Sequence, residues 1–328
     1  MAHRFVVDQA KARGVSRYQD ETLLAPGMVI VSRPEGAAVT AQLHEVRQAY
    51  PGRYPAGVLG DAVAEARAAR ALAAGSTVGV GFANLYALVS GADAATVRRV
   101  NVGKGRPTGQ VASVTTTPAR VLDAWDLDRL PSGLSPADVR AIVDAFFARG
   151  PFGFRGPARS GLPTCLTADD GGLPTAQLIA PGYACPANAF LQRALVETGD
   201  DLLSITSANR SRHRTGADDV PAHWRAAGLA PDFGRDPGFV LLPHRDEAAA
   251  RRAYPHHLPM STTVLALHTT LYRQDDPRPH LRLERHGSLD VDTVRTVLAG
   301  LGFGLVLGPG AARRLVPRRY PDATAADC

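Results

Sequence analysis

The chain has 328 residues, of which 45% are hydrophobic and 21% are charged. This composition excludes a largely disordered chain, and the length suits one large domain or one domain with an appendage. The net charge of +6 comes mostly from arginine. A basic bias of this kind suits small anionic ligands or weak nucleic-acid binding, and it fits arginine-rich codon usage equally well.

Neither a membrane span nor a cysteine-based site is indicated. No stretch reaches the roughly 18 apolar residues that a membrane span needs, and residues 1–5 lack a hydrophobic signal core. The three cysteines, at positions 165, 185 and 328, form no C-x-x-C pair, so neither a zinc site nor a disulfide framework is predicted. We expect a cytoplasmic protein without a metal site of its own.

Helix and strand patterns alternate along the chain, which predicts an α/β protein. The predicted helices are alanine-rich or amphipathic and lie at 41–50, 62–74, 94–101, 135–148, 187–198 and 291–298. The predicted strands are short and apolar and lie at 28–31, 76–82, 112–117, 202–206, 239–242, 263–267 and 281–283. Residues 150–186 are rich in glycine and proline and give no clear pattern. We expect an N-terminal extension over 1–60, a main domain over 61–305 and a basic, extended tail over 306–328.

Two polar motifs next to predicted elements suit a phosphate ligand. The K-G-R-P motif at 104–107 follows a predicted helix and places two cations on either side of a glycine. The T-S-A-N motif at 206–209 closes an apolar strand with short hydroxyl and amide side chains. Phosphate oxygens bind well to paired positive charges and short donors with little bulk between them. The sequence therefore predicts that the two motifs meet around a triphosphate.

Taken in order, the segments of this chain resemble the YrdC family, the threonylcarbamoyl-adenylate synthases. The matching segments are L-Y-A-L at 85–88, G-A-D-A at 91–94, K-G-R-P at 104–107, T-S-A-N at 206–209, S-T-T-V at 261–264 and R-H-G at 285–287. K-G-R-P alone is a weak signal, whereas K-G-R-P, T-S-A-N and S-T-T-V in this order are a specific one. The main domain expected over 61–305 is therefore identified as YrdC-like.

The resemblance implies a fold and an activity. The fold is α/β, with a twisted mixed sheet, surrounding helices and a deep basic cavity. The activity joins ATP, bicarbonate and an amino acid into an N-carbamoyl-adenylate and releases pyrophosphate; in the family the amino acid is threonine and the product serves tRNA modification. ATP and Mg²⁺ are the expected cofactors, with bicarbonate as a co-substrate.

The resemblance also assigns roles to individual residues. The ATP-binding residues that it implies are Lys104, Arg106, Ser207, Asn209, Ser261 and Arg285. Of these, Lys104 and Arg106 are expected to contact the phosphates and are the candidate catalytic residues. Cations can catalyse attack on a triphosphate because they offset the charge repulsion that opposes it. Ser207 and Asn209 are expected at the phosphate–ribose region.

Several departures from the family pattern fall on the segments that would recognise threonine. With Tyr86 as the anchor, Phe82 and Asn84 replace the two threonines of P-T-x-T-x-Y-G-L. R-x-P aligns with 184–186, where its arginine is missing, and G-P-x-T aligns with 150–153, where its threonine is missing. A missing arginine that paired with a carboxylate weakens binding more than one ordinary hydrogen bond does. We expect that the acceptor need not be threonine, and Asn84 and Tyr86 are the candidate substrate-binding residues.

Two other functions remain open. Carbamoyl phosphate is an alternative source of the carbamoyl group, as in the YrdC-like domains of carbamoyltransferases. The third candidate is a non-catalytic protein that binds RNA through a basic face, with an affinity that falls steeply as salt rises. The expected partners are ATP and a small amino acid or amine, with weakly bound RNA and a carbamoyl or threonylcarbamoyl transferase as further candidates and no membrane contact.

Overall fold

The structure, a computed structural model, describes residues 35–50, 57–211 and 220–320. The chain divides into two compact units, residues 1–41 and residues 42–328, and the described part of the first unit is the start of one helix. The strand predicted at 28–31 lies outside the described residues. Within the described ranges, no helix is both long enough and apolar enough to cross a membrane.

Several helices begin at a residue whose side chain caps them. Their bounds are α1 Glu35–Ala49, α2 Ala62–Ala73, α3 Ala94–Lys104, α4 Pro136–Phe147, α5 Ala187–Thr198, α6 Ala230–Phe233, α7 Glu247–Arg252 and α8 Val291–Gly300. Asp61 caps α2, because its carboxylate accepts hydrogen bonds from the backbone N–H groups of Val63 and Ala64. Ser135 and Asp138 form a capping box at the start of α4.

The strands of the described part form one mixed sheet. Their bounds are β1 Thr77–Phe82, β2 Leu85–Ser90, β3 Ser113–Thr115, β4 Phe152–Pro157, β5 Ala168–Asp170, β6 Leu173–Ala180, β7 Leu203–Ser207, β8 Phe239–Leu242, β9 Val264–Arg273, β10 Asp276–Arg285 and β11 Gly304–Leu307. Along the sheet the order is β11, β10, β9, β4, β6, β3, β7, β2, β1, β8, and β5 pairs with β6 beside this path. The pair of β4 with β9 is parallel and that of β4 with β6 is antiparallel.

Hydrophobic clusters pack on opposite faces of this sheet. Leu178 of β6 belongs to the cluster that contains residues of α4 and α8, whereas its neighbour Ile179 belongs to the cluster that contains residues of α2 and α5. Successive residues of a strand point to opposite faces, so the sheet separates the two pairs of helices. Alanines of α2 and α5 are buried in the second cluster, and their small side chains let these two helices pack closely.

The α/β class with a twisted mixed sheet is confirmed, and most predicted elements are present with shifted ends. The first described helix begins at Glu35 rather than at residue 41, and α3 continues to Lys104 rather than ending at 101. The unassigned region 150–186 contains β4, β5 and β6. β4 has the sequence F-G-F-R-G-P. Glycine and proline are uncommon inside strands, so the sequence did not predict a strand here although its aromatic residues alternate.

Candidate active site

A cavity of about 260 Å³ lies over the central strands of the sheet, with walls from β1 to β7 and from β10. Its apolar wall includes Ile179, so the cavity opens on the face that packs against α2 and α5. Three arginines also line it, Arg106, Arg155 and Arg285, and none of the lining residues is an aspartate or a glutamate. Positive charge without a carboxylate in the same wall favours an anionic ligand.

Arg106 reaches the cavity because the chain turns sharply at the end of α3. Gly105 follows the helix with φ of 76°, in the left-handed region that favours glycine. The backbone N–H of Arg106 then donates to the carbonyl oxygen of Asn101 over 2.8 Å. Its Nη1 donates to Oγ1 of Thr206 over 2.8 Å. The K-G-R-P and T-S-A-N motifs therefore meet at the wall of the cavity.

Lys104 lies beneath the T-S-A-N turn and is not part of the cavity wall. Its side chain is fully buried. Its Nζ donates to the carbonyl oxygen of Ser207 and, over 3.3 Å, to Oδ1 of Asn209. The backbone N–H of Ser211 in turn donates to the carbonyl oxygen of Lys104 over 2.8 Å. The ammonium group thus supports the turn from behind, whereas the motif had predicted direct contact with phosphates.

Ser207 and Asn209 hold the turn together from within. The hydroxyl of Ser207 donates to Oδ1 of Asn209, whose Nδ2 donates to the carbonyl oxygen of Arg210 over 3.1 Å. Ser207 lines the cavity, whereas Asn209 is buried behind it. Of the two predicted residues, only Ser207 is placed to contact a ligand in this cavity.

Arg285 enters the cavity from β10, next to Ser261, which also lines the wall. Nε of Arg285 donates to the carbonyl oxygen of Thr262 over 2.7 Å, and its Nη2 donates to Oγ1 of the same residue over 3.0 Å. Burial and then the charges of Arg106 and Arg155 lower the pKa of Arg285 to about 10. Arg285 therefore stays protonated at neutral pH, and a bound anion would relieve the repulsion among the three arginines.

Tyr86, a predicted acceptor-binding residue, points away from the cavity. Its neighbours in β2, Leu85 and Ala87, line the cavity, so the alternation of the strand places Tyr86 on the other face. There its hydroxyl donates to Oε1 of Glu247 over 2.8 Å and accepts a hydrogen bond from the backbone N–H of His244. Tyr86 is fully buried among these groups.

Asn84, the other predicted acceptor-binding residue, lies in the turn between β1 and β2 and outside the cavity wall. Its Nδ2 donates to the carbonyl oxygen of His257 over 2.8 Å. The preceding residue, Ala83, has φ of 56°, and its backbone N–H donates to Sγ of Cys185 over 3.3 Å. These contacts anchor the hairpin of β1 and β2.

The departures from the family pattern change the apolar wall of the cavity. Ala184 is exposed and outside the wall, whereas Ile179, which also stands two residues before a proline, is part of it. Gly153 of β4 lies opposite Ile179 in the strand register. A Cβ atom on Gly153 would come within 2.5 Å of Cδ1 of Ile179. Ile179 therefore occupies the space that a threonine side chain at position 153 would need.

Arg155 and Gln177 are cavity residues that no motif marked. Nη2 of Arg155 donates to Oε1 of Gln177 over 3.2 Å, and its Nε pairs with Oε2 of Glu284 over 2.8 Å. Both residues lie in the glycine- and proline-rich region that gave no pattern. The F-G-F-R alternation was the signal that could have identified Arg155. Two aromatic residues on one face of a strand place Gly153 and Arg155 on the other face.

No family model and no curated protein matches this chain. Among solved structures, P. abyssi Sua5 complexed with L-threonine matches over 73% of this chain and 58% of that chain, with 19% sequence identity and a TM-score of 0.51. A P. abyssi Sua5 variant with two substitutions matches over 75% and 62%, with 19% identity and a TM-score of 0.52. A hypothetical protein from Streptococcus mutans matches over 74% and 94%, with 13% identity and a TM-score of 0.49.

This chain has the Sua5/YrdC fold. The likeness to the two Sua5 structures covers about three quarters of this chain and concerns the fold, since only 19% of the aligned residues are identical. The chain spans 58% and 62% of the length of those two proteins. Within this Sua5-like fold, the cavity brings together Arg106, Ser207, Ser261 and Arg285.

Proposed function

We propose that the chain uses ATP and bicarbonate to convert an amino acid or a related amine into an N-carbamoyl-adenylate, with release of pyrophosphate. The observation that carries this proposal is the convergence of Arg106, Thr206, Ser207, Ser261 and Arg285 on one cavity. Guanidinium and hydroxyl groups are preferred donors to phosphate oxygens. The Sua5/YrdC fold supports the same reading, because the two phosphate motifs occupy this wall of the cavity.

The proposed reaction has two bond-forming steps. The amine adds to bicarbonate, which gives a carbamate and water. A carbamate oxygen then attacks the α-phosphorus of ATP, the bond from that phosphorus to the bridging oxygen breaks, and pyrophosphate leaves with the electron pair. The protein needs no nucleophile for these steps, because positioning and charge stabilisation lower the barrier.

We assign Arg106 and Arg285 to the triphosphate. Arg106 comes from the end of α3, beside β7, and Arg285 comes from β10, so the two cations approach from different parts of the sheet. Their charges would stabilise the negative charge that develops on the departing pyrophosphate. Ser207 and Ser261 would bring hydroxyl groups to the phosphate oxygens. Lys104 acts one layer behind them, by fixing the backbone of Ser207.

The cavity residues do not form a magnesium site. Mg²⁺ prefers carboxylate oxygens and water as ligands, and the wall contains neither aspartate nor glutamate. Across the described residues, no group of three or more His, Cys, Asp or Glu side chains could hold a metal ion. Mg²⁺ therefore enters this proposal only as the counter-ion that ATP carries.

We place the acceptor against the altered apolar wall of the cavity. Phe82 and Ile179 belong to this wall, at positions where the family pattern has a threonine and, in one alignment, the arginine of R-x-P. Bulky apolar side chains remove hydrogen-bond partners for a hydroxyl group. The acceptor that we propose is therefore an amine other than threonine.

Pyrophosphate release tests the proposal. The full chain is incubated with ATP, Mg²⁺ and bicarbonate across a panel of amino acids and simple amines that includes threonine. We expect release with at least one acceptor and a loss of about 100-fold or more in kcat/KM for Arg106→Gln, as for removal of a single transition-state donor. Arg98→Gln is the matched control, because Arg98 is an exposed arginine of α3, the helix that leads to Arg106, and it should keep full activity.

Other outcomes discriminate among the alternatives. Release with threonine as the preferred acceptor would contradict the altered acceptor site. Release that needs carbamoyl phosphate in place of bicarbonate would change the proposed carbonyl source. Absence of both nucleotide binding and turnover would contradict the enzymatic proposal, and RNA binding that weakens steeply with salt would then support the non-catalytic function.

A further inference from the structure

Arg155 is a charged residue in a strand whose other residues are apolar or glycine and proline. Phe152 and Phe154 of β4 are buried in the cluster with α4 and α8, so the alternation of the strand directs Arg155 to the cavity face. There Arg155 lines the cavity together with Gln177 of the neighbouring strand, and the two residues are direct partners in the register.

The guanidinium of Arg155 is held in one orientation. Its Nη2 donates to Oε1 of Gln177, and Nε2 of Gln177 donates to Oγ of Ser113 over 2.7 Å. Its Nε pairs with Glu284 over 2.8 Å. No described residue is hydrogen-bonded to Nη1. A planar guanidinium that is fixed on one side is ready to bind a planar anion on the other.

The ion pair with Glu284 does not remove the charge of Arg155 from the cavity. Glu284 lies outside the cavity wall, and its Oε1 also lies 3.6 Å from Nη2 of Arg282, so this carboxylate is shared between two arginines. Three guanidinium groups thus share a wall in which no carboxylate is present. A triphosphate assigned to Arg106 and Arg285 leaves the third cation for another anionic group.

Arg155 enters the cavity at a distance from the T-S-A-N turn. In the sheet, β4 is followed by β6, β3 and then β7, which carries Thr206 and Ser207. Three strand spacings of roughly 4.8 Å separate the backbones of β4 and β7, about 14 Å in total. Arg285 starts from β10, two strands beyond β4, but the charge of Arg106 lowers the pKa of Arg285 more than the charge of Arg155 does. Arg106 and Arg285 can therefore share one ligand while Arg155 contacts a second one beside it.

We propose that Arg155 is the acceptor-selecting residue of the cavity and that the acceptor is an amine bearing a carboxylate, which pairs with the guanidinium of Arg155 while Gln177 holds it in place. This inference rests on the proposed function and names the acceptor class for it. The arginine of the family's R-x-P segment is missing from both positions that can align with it, Ala184 and Ile179. Arg155 would take over the pairing with the carboxylate.

The test compares acceptors that differ only in the carboxylate. Pyrophosphate release is measured with glycine, serine, threonine and phenylalanine, and with the α-amide of each. We expect the wild type to prefer acids over amides and Arg155→Met to lower this acid-to-amide ratio of kcat/KM by about 10- to 100-fold, the cost of a lost charged hydrogen bond. The KM for ATP should stay within about twofold. Arg155→Lys should keep part of the preference for acids, because lysine keeps the positive charge but lacks the two parallel N–H donors of a guanidinium.

Glu284→Gln is the control for a purely structural role. It removes the charge of the partner carboxylate but keeps the arginine, the hydrogen bond with Gln177 and an oxygen that can accept from Nε of Arg155. The acid-to-amide ratio should therefore stay close to that of the wild type. Thermal unfolding of each variant verifies that the fold is kept, and calorimetric titration with ATP reports nucleotide binding without turnover.

Three results would overturn the inference while leaving the proposed function intact. The first is an unchanged acid-to-amide ratio in Arg155→Met. The second is a rise in the KM for ATP as large as that in Arg106→Gln, which would assign Arg155 to the phosphates. The third is the same loss of preference in Glu284→Gln. A wild type that binds no ATP would instead overturn the proposed function and this inference with it.

Discussion

Lys104 and Arg106 are separated by one glycine, yet they contact different parts of the molecule. Lys104 is the last residue of α3 and its side chain is buried under the T-S-A-N turn. Arg106 lies beyond the left-handed Gly105 and lines the cavity. Substitution of Lys104 therefore removes the support of Ser207 and leaves buried acceptors without their donor. Its effect on activity would be indirect, whereas that of Arg106 would be direct.

Glu247 is a buried carboxyl group outside the cavity. It accepts hydrogen bonds from the hydroxyl of Tyr86 over 2.8 Å and from the backbone N–H of Ala226 over 2.6 Å. Burial is the main cause that raises the pKa of Glu247 to about 7, and nearby Glu45 raises it further, while both hydrogen bonds and the charge of Arg251 act in the opposite direction. This carboxyl therefore titrates close to neutral pH in the folded protein.

The raised pKa of Glu247 predicts a pH-dependent stability. In the unfolded chain the carboxyl has a pKa near 4.5, so the folded state holds its proton more tightly. The stability gained from this proton is fully present below pH 4.5 and is lost as the pH rises through about 7. Relative to Glu247→Gln, the wild type should lose up to about 3 kcal/mol over this range, since a tenfold change in proton affinity corresponds to about 1.4 kcal/mol.

Urea unfolding of the wild type and Glu247→Gln, from pH 4.5 to pH 8, measures this difference. Comparison of the two proteins at each pH removes the contribution of groups that titrate alike in both. Glutamine keeps an oxygen that accepts from Tyr86 and Ala226, so the packing is retained. A free-energy difference that does not change with pH would contradict the expectation.

The contact between Gly153 and Ile179 predicts a coupled pair. Gly153→Thr would force a Cβ atom to within 2.5 Å of Cδ1 of Ile179 and 3.0 Å of Cγ2 of Val264, and overpacking of this kind costs about 1–3 kcal/mol. In Ile179→Ala the space is open, so the double variant should be more stable than the sum of the single effects by about 1 kcal/mol or more. Urea unfolding of the two single variants and the double variant measures this difference. If the two single changes in the free energy of unfolding simply add in the double variant, the coupling is refuted.

Among the elements, the segment that follows β11, residues 309–320, packs against residues 221–225. Nε1 of Trp224 donates to the carbonyl oxygen of Arg318 over 2.7 Å, and Nε of Arg318 donates to the carbonyl oxygen of Pro221 over 2.8 Å. The ring of Tyr320 meets that of Trp224 edge to face at 4.9 Å. Residues 309–320 have little regular structure, so side-chain contacts rather than a backbone ladder hold them.

Tyr320→Ala should loosen this segment. It removes the contact with Trp224, the 2.7 Å hydrogen bond between the hydroxyl and Nδ1 of His223, and the stacking under Arg225. For a partly buried aromatic residue we expect a loss of about 1–3 kcal/mol in the free energy of unfolding. Arg319→Ala is the control, because Arg319 is exposed and should change stability by less than about 0.5 kcal/mol. A loss of unfolding free energy in Tyr320→Ala that is no larger than the loss in Arg319→Ala would contradict this expectation.

At the scale of the whole molecule, the two phosphate motifs were the part of the site that the sequence could predict. Their residue types, together with the resemblance, led to the expectation that K-G-R-P and T-S-A-N meet, and Arg106 contacts Thr206 across 100 positions. The burial of Lys104 could not be predicted, because it depends on the continuation of α3 from 101 to 104. The direction of Tyr86 depends likewise on a strand, β2, that the pattern did not reveal.

The position of Arg155 depends on the sheet as a whole. β4 is paired with β6 on one side and with β9 on the other, and these partners lie about 20 and 110 residues away in the chain. Local propensity treats F-G-F-R-G-P as a loop, since glycine and proline have low strand preference. Tertiary pairing overrides that preference, so the third arginine of the cavity became visible only with the strand order.

The order in which the strands join the sheet has a consequence during synthesis of the chain. The cavity wall begins with Phe82 on β1 and is completed by Arg285 on β10, and β10 is held in the sheet by β9 and β11. A domain generally folds as a unit once the ribosome has released its elements. A nascent chain that has not yet released β10 lacks one of the two arginines assigned to the triphosphate. The newly made protein therefore acquires its full anion site only after β10 has left the ribosome.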